Sequence, residues 1–260
     1  MQSKKLSVIV PVYNGEKFIA KNLESMKHSI SSIFPNNEII VVIDGAKDKS
    51  LEEARKVKDI KIISYPKNQG KGYALKEGFK HSTGEYITFV DGDLDIDPKQ
   101  LLNFIPYMAT ADLIIGSKRH PFSKIHYPFF RRFLSRGFQI YSWLVLQVHL
   151  RDTQSGLKLI KREVLDVIMP LLLVKRYAFD LELCFLAQKH GFRTVEAPIY
   201  LKQKNHDDNN KNENPFKGST ITLNAIRGMF LDVLAIRYRY SILNYYQKKY
   251  WESKGWNEIK

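Results

Sequence analysis

The first half of the chain alternates between short apolar runs and amphipathic stretches. Runs rich in β-branched and aromatic residues predict strands, whereas apolar residues spaced at helical intervals predict helices. The predicted strands are 6–13, 37–44, 60–65, 85–90 and 111–117, and the predicted helices are 15–33, 50–58, 72–82 and 99–108. This strand-helix order is typical of an α/β fold with a doubly wound, mostly parallel sheet flanked by helices.

From residue 127 the pattern is less regular. Residues 127–147 mix aromatic side chains with arginines, and residues 151–163 are interpreted as a polar turn followed by a basic segment. A helix is predicted at 176–192, a strand at 194–201 and a polar, Asn-rich loop at 203–218.

The segment 219–251 predicts a long amphipathic helix or a helix pair. Its apolar stripe comprises Ile226, Met229, Phe230, Val233 and Leu234. Basic residues far outnumber acidic ones here, and tyrosine is frequent. Two interpretations stay open: the stripe packs on the core, or the segment lies on an anionic membrane surface as an interfacial helix.

The most unusual stretch is DGDLDIDP, which has aspartates at every second position: Asp91, Asp93, Asp95 and Asp97. On an extended segment their carboxylates point the same way and repel one another unless a cation lies between them. A hard divalent metal is the first candidate. A calcium loop of the EF-hand type is a poor match, because Ile96 and Leu102 occupy its glycine and glutamate positions. Asp97 with Pro98 fits a helix N-cap, which leaves the other three aspartates for chemistry.

Polar signals follow each predicted strand. They are Pro11 to Gly15, Asp44-Gly45, NQGKG at 68–72, the acidic cluster and Lys118-Arg119. Ligands of open α/β sheets bind at the carboxyl ends of the strands. The glycine-rich NQGKG could offer backbone N–H groups and Lys71 to a phosphate, although such a loop is more often simply a tight turn.

Composition is that of a globular protein, with 44% hydrophobic and 26% charged residues among 260. The single cysteine excludes an internal disulfide. We find no signal peptide and no apolar run of the ~18–20 residues that span a bilayer, so we expect a chain that does not cross a membrane. Almost all of the net charge of +14 falls in residues 116–260. That asymmetry predicts an anionic partner: nucleic acid, membrane surface or a phosphate-bearing substrate.

PVYNG, VVIDGAKDKS, NQGKGYALKEG, DGDLD and RDTQSG together resemble the family 2 glycosyltransferases of the GT-A fold. RDTQSGLKL and RYAFDLELCFLAQ, with the segments around 127–143 and 229–240, resemble the branch that moves a hexose from a nucleotide sugar to dolichyl or another polyprenyl phosphate. They are most similar to the dolichyl-phosphate glucosyltransferases. The resemblance covers 6 to about 245. It implies a Rossmann-like GT-A domain at 1–218, with a nucleotide-sugar half (1–117) and an acceptor half (118–218), and amphipathic helices at 219–260.

The resemblance also implies roles for individual residues. The nucleotide sugar would be bound by Pro11, Tyr13, Asn14, Asp44, Lys71 and Asp91. Asp91 and Asp93 match the family's D-x-D pair, and Asp93 and Asp95 would hold Mg²⁺ or Mn²⁺. The acceptor phosphate would contact Arg119, Arg131 and Ser135. Gln154 and Asp180 would bind sugar hydroxyls, and the implied catalytic residues are Asp91, Asp93 and Asp180, although helix capping and loop structure are the plainer roles of Asp180 and Gln154. The sequence departs from the family pattern at Gly15, Ile43 and Ala46.

The chemistry of this branch accounts for the acidic cluster. A divalent metal would stabilise the leaving nucleotide diphosphate. The acceptor, a phosphate monoester, is already a nucleophile at neutral pH and requires no general base. Direct displacement implies inversion, from an α-linked donor to a β-linked product.

The expected partners are UDP-glucose or GDP-mannose, dolichyl or polyprenyl phosphate, and an anionic membrane surface, with the protein peripheral on the cytoplasmic face. Two alternatives are another soluble family 2 enzyme and a basic scaffold without activity. A nucleic-acid-binding protein would explain the basic half but not the acidic cluster, so we expect no nucleic acid.

Overall fold

The computed structural model describes residues 4–123, 129–175, 178–200 and 223–254. Within these residues seven strands form one sheet in the order β3-β2-β1-β4-β6-β5-β7. The strands are β1 (Leu6–Val12), β2 (Asn37–Asp44), β3 (Lys61–Tyr65), β4 (Tyr86–Phe89), β5 (Leu113–Ser117), β6 (Lys158–Lys161) and β7 (Thr194–Pro198). All neighbouring pairs are parallel except the two that involve β6, which is antiparallel to both β4 and β5.

Helices alternate with the strands, and those at 129–146 and 162–168 were not predicted from the pattern. The helices are α1 (Ile19–Ile33), α2 (Ser50–Arg55), α3 (Lys71–Lys80), α4 (Phe129–Leu146), α5 (Arg162–Ile168), α6 (Phe179–Lys189), α7 (Leu223–Ser241) and α8 (Tyr245–Ser253), with a 3₁₀ segment at Pro98–Tyr107. The predicted α/β fold with a mostly parallel sheet is therefore confirmed.

The core explains why the first strands were predictable. Strands β1 and β2 are buried along most of their length, because helices cover parallel strands on both faces. On one face, Ile19, Leu23, Met26 and Ile30 of α1 are fully buried against the sheet. Their spacing is that of a single helical stripe.

Strand β6 and helix α5 differ from the prediction. The segment 151–163 was interpreted as a polar turn with a basic continuation, but KLIK at its centre is a strand in the middle of the sheet. The sequence pattern is misleading because Lys158, at its start, is buried as fully as the apolar residues beside it. A polar side chain of this kind is tolerated in a core only when a partner compensates its charge.

Two helix predictions need smaller corrections. The helix predicted at 15–33 begins at Ile19, because residues 15–18 form a turn in which the N–H of Phe18 donates to the oxygen of Gly15 at 3.0 Å. The helix predicted at 99–108 is a 3₁₀ segment with Pro106 inside it. Proline lacks an N–H and clashes with the preceding turn, which disfavours a regular α-helix.

The acidic cluster was predicted to be extended, and it is a turn. Leu94 has a positive φ of 53°, and its N–H donates to the oxygen of Asp91 at 3.1 Å. The alternation of faces nevertheless persists, since Leu94 and Ile96 are buried while Asp93 and Asp95 are exposed. Asp97 accepts from the N–H of Lys99 at 3.0 Å, which confirms the predicted cap.

By their contacts, the described residues fall into two compact units, Met1–Ile125 with Val148–Leu201, and His126–Gln147 with Lys202–Lys260. Contacts thus group α4 with the C-terminal helices. The division into a GT-A domain at 1–218 and amphipathic helices at 219–260 stays a prediction. The predicted loop at 203–218 lies outside the described residues.

The C-terminal segment is a helix pair, α7 and α8. Its apolar stripe differs from the predicted one: Val233 and Ile236 are buried, whereas Phe230 and Leu234 are exposed, and the side chain of Ile226 is outside the described residues. In the second unit, α7 packs on α4, where the hydroxyl of Tyr141 donates to the oxygen of Phe230 at 3.1 Å. Within the described residues, no helix combines the length and apolar character needed to cross a bilayer.

Candidate active site at the carboxyl edge of the sheet

The reversed direction of β6 determines which loops meet at the candidate site. Lys158 at the start of β6 pairs with Phe89 near the end of β4 and with Ile115 of β5. The loop 151–157 that leads into β6 therefore lies beside the segments that leave β4 and β5. This edge collects most of the polar signals that the sequence analysis singled out.

Four charged side chains form a chain across this edge. The Nζ atom of Lys158 donates to Oδ1 of Asp180 at 2.6 Å, and Oδ2 of Asp180 lies 4.0 Å from Nζ of Lys71. Nζ of Lys71 is 2.7 Å from Oδ1 of Asp91. We call this row of ion-paired side chains the relay. It links β6 (Lys158), the first turn of α6 (Asp180), the start of α3 (Lys71) and the residue group just after β4 (Asp91).

The electrostatics keep the exposed end of this relay ionised. Burial lowers the pKa of Lys71, but the carboxylates of Asp91 and Asp180 outweigh that effect and hold the pKa above its ordinary value. Burial raises the pKa of the Asp91 carboxyl, but Lys71, Lys158 and Lys118 together hold it below its ordinary value. Lys71 and Asp91 are therefore an ion pair at neutral pH.

Gly156 of the RDTQSG loop is packed directly against Asp91. A Cβ atom built on this glycine would lie closer than 3.0 Å to Oδ2 of Asp91, which is nearer than real Cβ atoms approach. Asp91 thus contacts Lys71 on one side and the backbone of Gly156 on the other, where a residue with a side chain would not fit.

Asp93 and Asp95 lie exposed on the turn after Asp91. The N–H of Asp95 donates to Oδ1 of Asp93 at 3.2 Å. Among the described residues no group of three or more His, Cys, Asp or Glu side chains is arranged to hold a metal. Mg²⁺ is commonly bound by one or two carboxylates that share it with substrate phosphates, so an exposed carboxylate pair fits such an ion.

Asp44 has a role that the sequence analysis did not find. It is 3% exposed, and its Oδ1 and Oδ2 accept from the N–H groups of Gln69 and Gly70 at 2.7 and 2.8 Å. The N–H of Gly72 donates to the oxygen of Lys175 at 2.8 Å. These three N–H groups of NQGKG therefore bind within the protein, and the loop they hold carries Lys71 into the relay.

The other proposed nucleotide residues lie at the end of β1. Pro11 is half-buried in the strand, and Tyr13 after it is 48% exposed. Asn14 adopts a positive φ of 52°, and its Oδ1 accepts from the N–H of Lys47 at 2.9 Å. This bond ties the loop after β1 to the loop after β2.

Two carboxylates fix the RDTQSG loop: Asp152, which belongs to it, and Glu196 of β7. Asp152 accepts from the N–H groups of Lys118 and Gln154 at 3.0 and 3.1 Å. Oε1 of Glu196 accepts from the N–H groups of Arg151 and Asp152 at 3.1 and 2.9 Å. Gln154 is half-buried in this loop.

The proposed acceptor residues are described less completely. Arg119 is half-buried just after β5, and its N–H donates to Oγ of Ser117 at 3.3 Å. Arg131 and Ser135 lie on α4, but their side chains are outside the described residues. The structure thus unites Lys71, Asp91 and Asp180, but the acceptor roles stay predictions.

Comparison with known proteins identifies the family of this chain. The family model described as glycosyl transferase family 2 matches residues 7–169. The chain belongs to glycosyl transferase family 2. The resemblance drawn from the motifs is thereby confirmed, and with it the assignment as a glycosyltransferase.

Relatives of this glycosyltransferase include enzymes of one named activity. A dolichyl-phosphate beta-glucosyltransferase from Trichomonas vaginalis is 29% identical over 269 residues, which cover 94% of this chain and 77% of that protein. The Homo sapiens dolichyl-phosphate beta-glucosyltransferase is 32% identical over 217 residues, with coverage of 76% and 67%. In two further relatives the match spans 62% and 64% of the relative's own length.

A solved structure supports the fold. Glucosyl-3-phosphoglycerate synthase from Mycobacterium tuberculosis, in complex with Mn²⁺, UDP and phosphoglyceric acid, matches with a TM-score of 0.65 and 16% identity, over 91% of this chain and 78% of that one. At this identity the match confirms the GT-A fold alone.

Two residues of the site were missed from the sequence, Lys158 and Gly156. Both belong to RDTQSGLKL, the motif that carries much of the resemblance. The signal for Lys158 was its position inside the apolar run Leu157 to Ile160. For Gly156 no sequence signal distinguished a close packing partner from an ordinary turn glycine.

We call the two hydrogen bonds that Asp44 accepts from the NQGKG loop the clamp, and its role can be tested by substitution. Asp44→Ala leaves the N–H groups of Gln69 and Gly70 without their acceptor, so the free energy of unfolding should fall by about 2–4 kcal/mol. Hydrogen exchange should accelerate at those two amides. Asp97→Ala is the matched control, because it removes a carboxylate cap elsewhere, costs about 1 kcal/mol and should leave exchange in the NQGKG loop unchanged. Equal exchange rates in wild type and Asp44→Ala would refute the clamp.

Proposed function

We propose that this glycosyltransferase transfers glucose, with inversion, from UDP-glucose to dolichyl phosphate or a related polyprenyl phosphate. The observation that carries the proposal is the ion pair of Lys71 and Asp91 beside the exposed pair Asp93 and Asp95, at the sheet edge where ligands of this fold class bind. The similarity to named dolichyl-phosphate beta-glucosyltransferases supports the choice of sugar and acceptor. GDP-mannose is the second candidate donor.

The donor would lie along the loops after β1 and β2, with Pro11, Tyr13 and Asn14 beside the nucleotide. Asp44 would contribute mainly by holding the NQGKG loop, since both its oxygens accept from that loop. Asp93 and Asp95 would hold Mg²⁺ or Mn²⁺. A divalent ion in this position supplies a Lewis acid for the diphosphate leaving group.

Transfer needs little proton chemistry. An oxygen of the acceptor phosphate attacks the anomeric carbon, a new C–O bond forms, and the bond to UDP breaks with its electron pair leaving on the diphosphate. The acceptor is mostly dianionic at pH 7, with a second pKa near ~6, so no general base is required. Arg119 is proposed to bind the acceptor phosphate, as are Arg131 and Ser135. Asp180 and Gln154 are proposed to bind sugar hydroxyls.

The activity is tested by turnover with labelled donors. UDP-glucose and GDP-mannose are each incubated with dolichyl phosphate and Mg²⁺ or Mn²⁺, and labelled lipid is measured. We expect transfer from UDP-glucose, abolished reversibly by EDTA and reduced by about 100-fold or more in Asp93→Asn, because a carboxylate ligand is lost. Asp97→Asn is the matched control on the same turn, since asparagine also caps helices well.

Two results would contradict parts of this account. Full activity in the presence of chelator would exclude the metal. Equal loss in Asp93→Asn and Asp97→Asn would show that the turn, rather than a ligand at Asp93, had been disturbed.

We also propose that the protein docks on the cytoplasmic face of a membrane through α7 and α8. Leu231, Leu234 and Ile242 are 61%, 50% and 66% exposed, so these large apolar side chains are in contact with water in the isolated protein. Arg237 and Arg239, both half-buried, lie between Leu234 and Ile242 in the sequence. Apolar burial and attraction to anionic headgroups would act together on such a surface.

Docking is tested by co-sedimentation with vesicles that contain anionic lipid. Each arginine near the surface contributes roughly 1 kcal/mol, so Arg237→Glu/Arg239→Glu should weaken binding by more than tenfold. High salt should weaken wild-type binding without abolishing it, because apolar burial is not screened. Arg55→Glu/Lys58→Glu carries the same charge change on an exposed surface of the first unit and should bind like wild type. If wild type fails to sediment at low salt, the docking proposal is wrong.

A further inference from the structure

Lys158 is a lysine with no exposed surface. Its relative exposure is 0%, and its ammonium donates to Oδ1 of Asp180 and to the backbone oxygen of Ser155. Taking an ammonium and a carboxylate out of water costs several kcal/mol for each ion, and their attraction recovers that cost only in favourable geometry. Well-packed apolar residues often stabilise a core at least as well as a buried ion pair. Stability alone therefore gives no sufficient reason for a lysine here.

The position of Lys158 suggests another reason. Asp180 is 7% exposed and lies between two ammonium groups, with one oxygen on Lys158 at 2.6 Å and the other 4.0 Å from Lys71. Lys158 thus determines which way the Asp180 carboxylate is turned. In the part of the chain that the structure describes, this bond draws the carboxylate away from Lys71, so its loss would let the carboxylate close on Lys71.

Such a movement would reach Asp91 directly. Lys71 holds Oδ1 of Asp91 at 2.7 Å, and a carboxylate that closed on Lys71 would compete for the same ammonium. Asp91 is followed by the turn that carries Asp93 and Asp95. A displacement of about 1 Å in catalytic groups can cost about 100-fold in rate.

We propose that Lys158 is a positioning residue for transfer from the nucleotide sugar. It acts through Asp180: it fixes that carboxylate, leaves Lys71 on Asp91, and so sets the donor-binding end of the relay. The inference rests on the proposed function, and it assigns a role to a residue that touches neither substrate.

The experiment measures kcat and KM per folded molecule for four variants with UDP-glucose and dolichyl phosphate. Lys158→Met should lower kcat by about 10–100-fold, with the KM for the lipid within about twofold of wild type, because the relay does not include the acceptor contacts. Lys161→Met is the matched control. Lys161 lies on the same strand and also pairs with a carboxylate, Asp112 at 2.8 Å, but at the opposite end. It should lose stability and keep both kinetic constants.

The remaining variants test the path of the effect. If Lys158 acts only through Asp180, then Lys158→Met/Asp180→Asn should have the kcat of Asp180→Asn within about threefold, whereas independent effects would multiply. Should Lys158→Met fail to fold, Lys158→Gln replaces it, since a polar amide suits the oxygen of Ser155 but is shorter than lysine and has no charge to fix the Asp180 carboxylate. The same loss of kcat is expected.

Three outcomes would overturn the inference. A wild-type kcat in Lys158→Met or Lys158→Gln would show that the lysine only fills the core. A double variant more than about tenfold below Asp180→Asn would show that Lys158 acts by another route. An inactive wild type, with either donor, would overturn the proposed function and this inference with it, whereas the first two results leave the proposed function standing.

Discussion

Strand β6 runs against both of its neighbours, and the candidate site depends on that reversal. A parallel strand in this position would send its leading loop to the opposite edge of the sheet, away from the ends of β4 and β5. Because β6 is antiparallel, RDTQSG arrives beside Asp91, and Lys158 enters the sheet next to Phe89. Asp152 of this loop then accepts from the N–H of Lys118, and Glu196 accepts from the N–H of Asp152, so the loop is fixed on both neighbouring segments. One change of strand direction thus assembles residues that are far apart in the chain.

The relay converts this topology into electrostatics. Each of its inner members, Asp180 and Lys71, lies between two groups of opposite charge. Such a row is stable only when complete, because removal of one member leaves an uncompensated charge in a poorly solvated place. The exposed end, Asp91, adjoins the turn that presents Asp93 and Asp95. Buried charge at β6 is therefore coupled to the surface where a metal and a diphosphate are proposed to bind.

The sequence was informative where structure is local. Strand β2 was predicted at its observed bounds, since a strand covered on both faces is a continuous apolar run. The cap at Asp97 and the meeting of polar segments at one edge of the sheet were also predictable, because cap geometry and strand ends have short-range signals. Strand β6 was not, since KLIK begins and ends with lysine and its pairing partners are distant in sequence. The role of Lys158 required the position of Asp180, which no local pattern encodes.

The reversed strand brings a glycine backbone against Asp91, and Gly156→Ala tests this arrangement most directly. A methyl group there would displace the Asp91 carboxylate, so we predict a loss of transfer from UDP-glucose of about 100-fold in a variant that still folds. Gly228→Ala, where an added Cβ meets nothing within 4 Å, is the control and should be fully active. Wild-type kcat in Gly156→Ala would contradict the account.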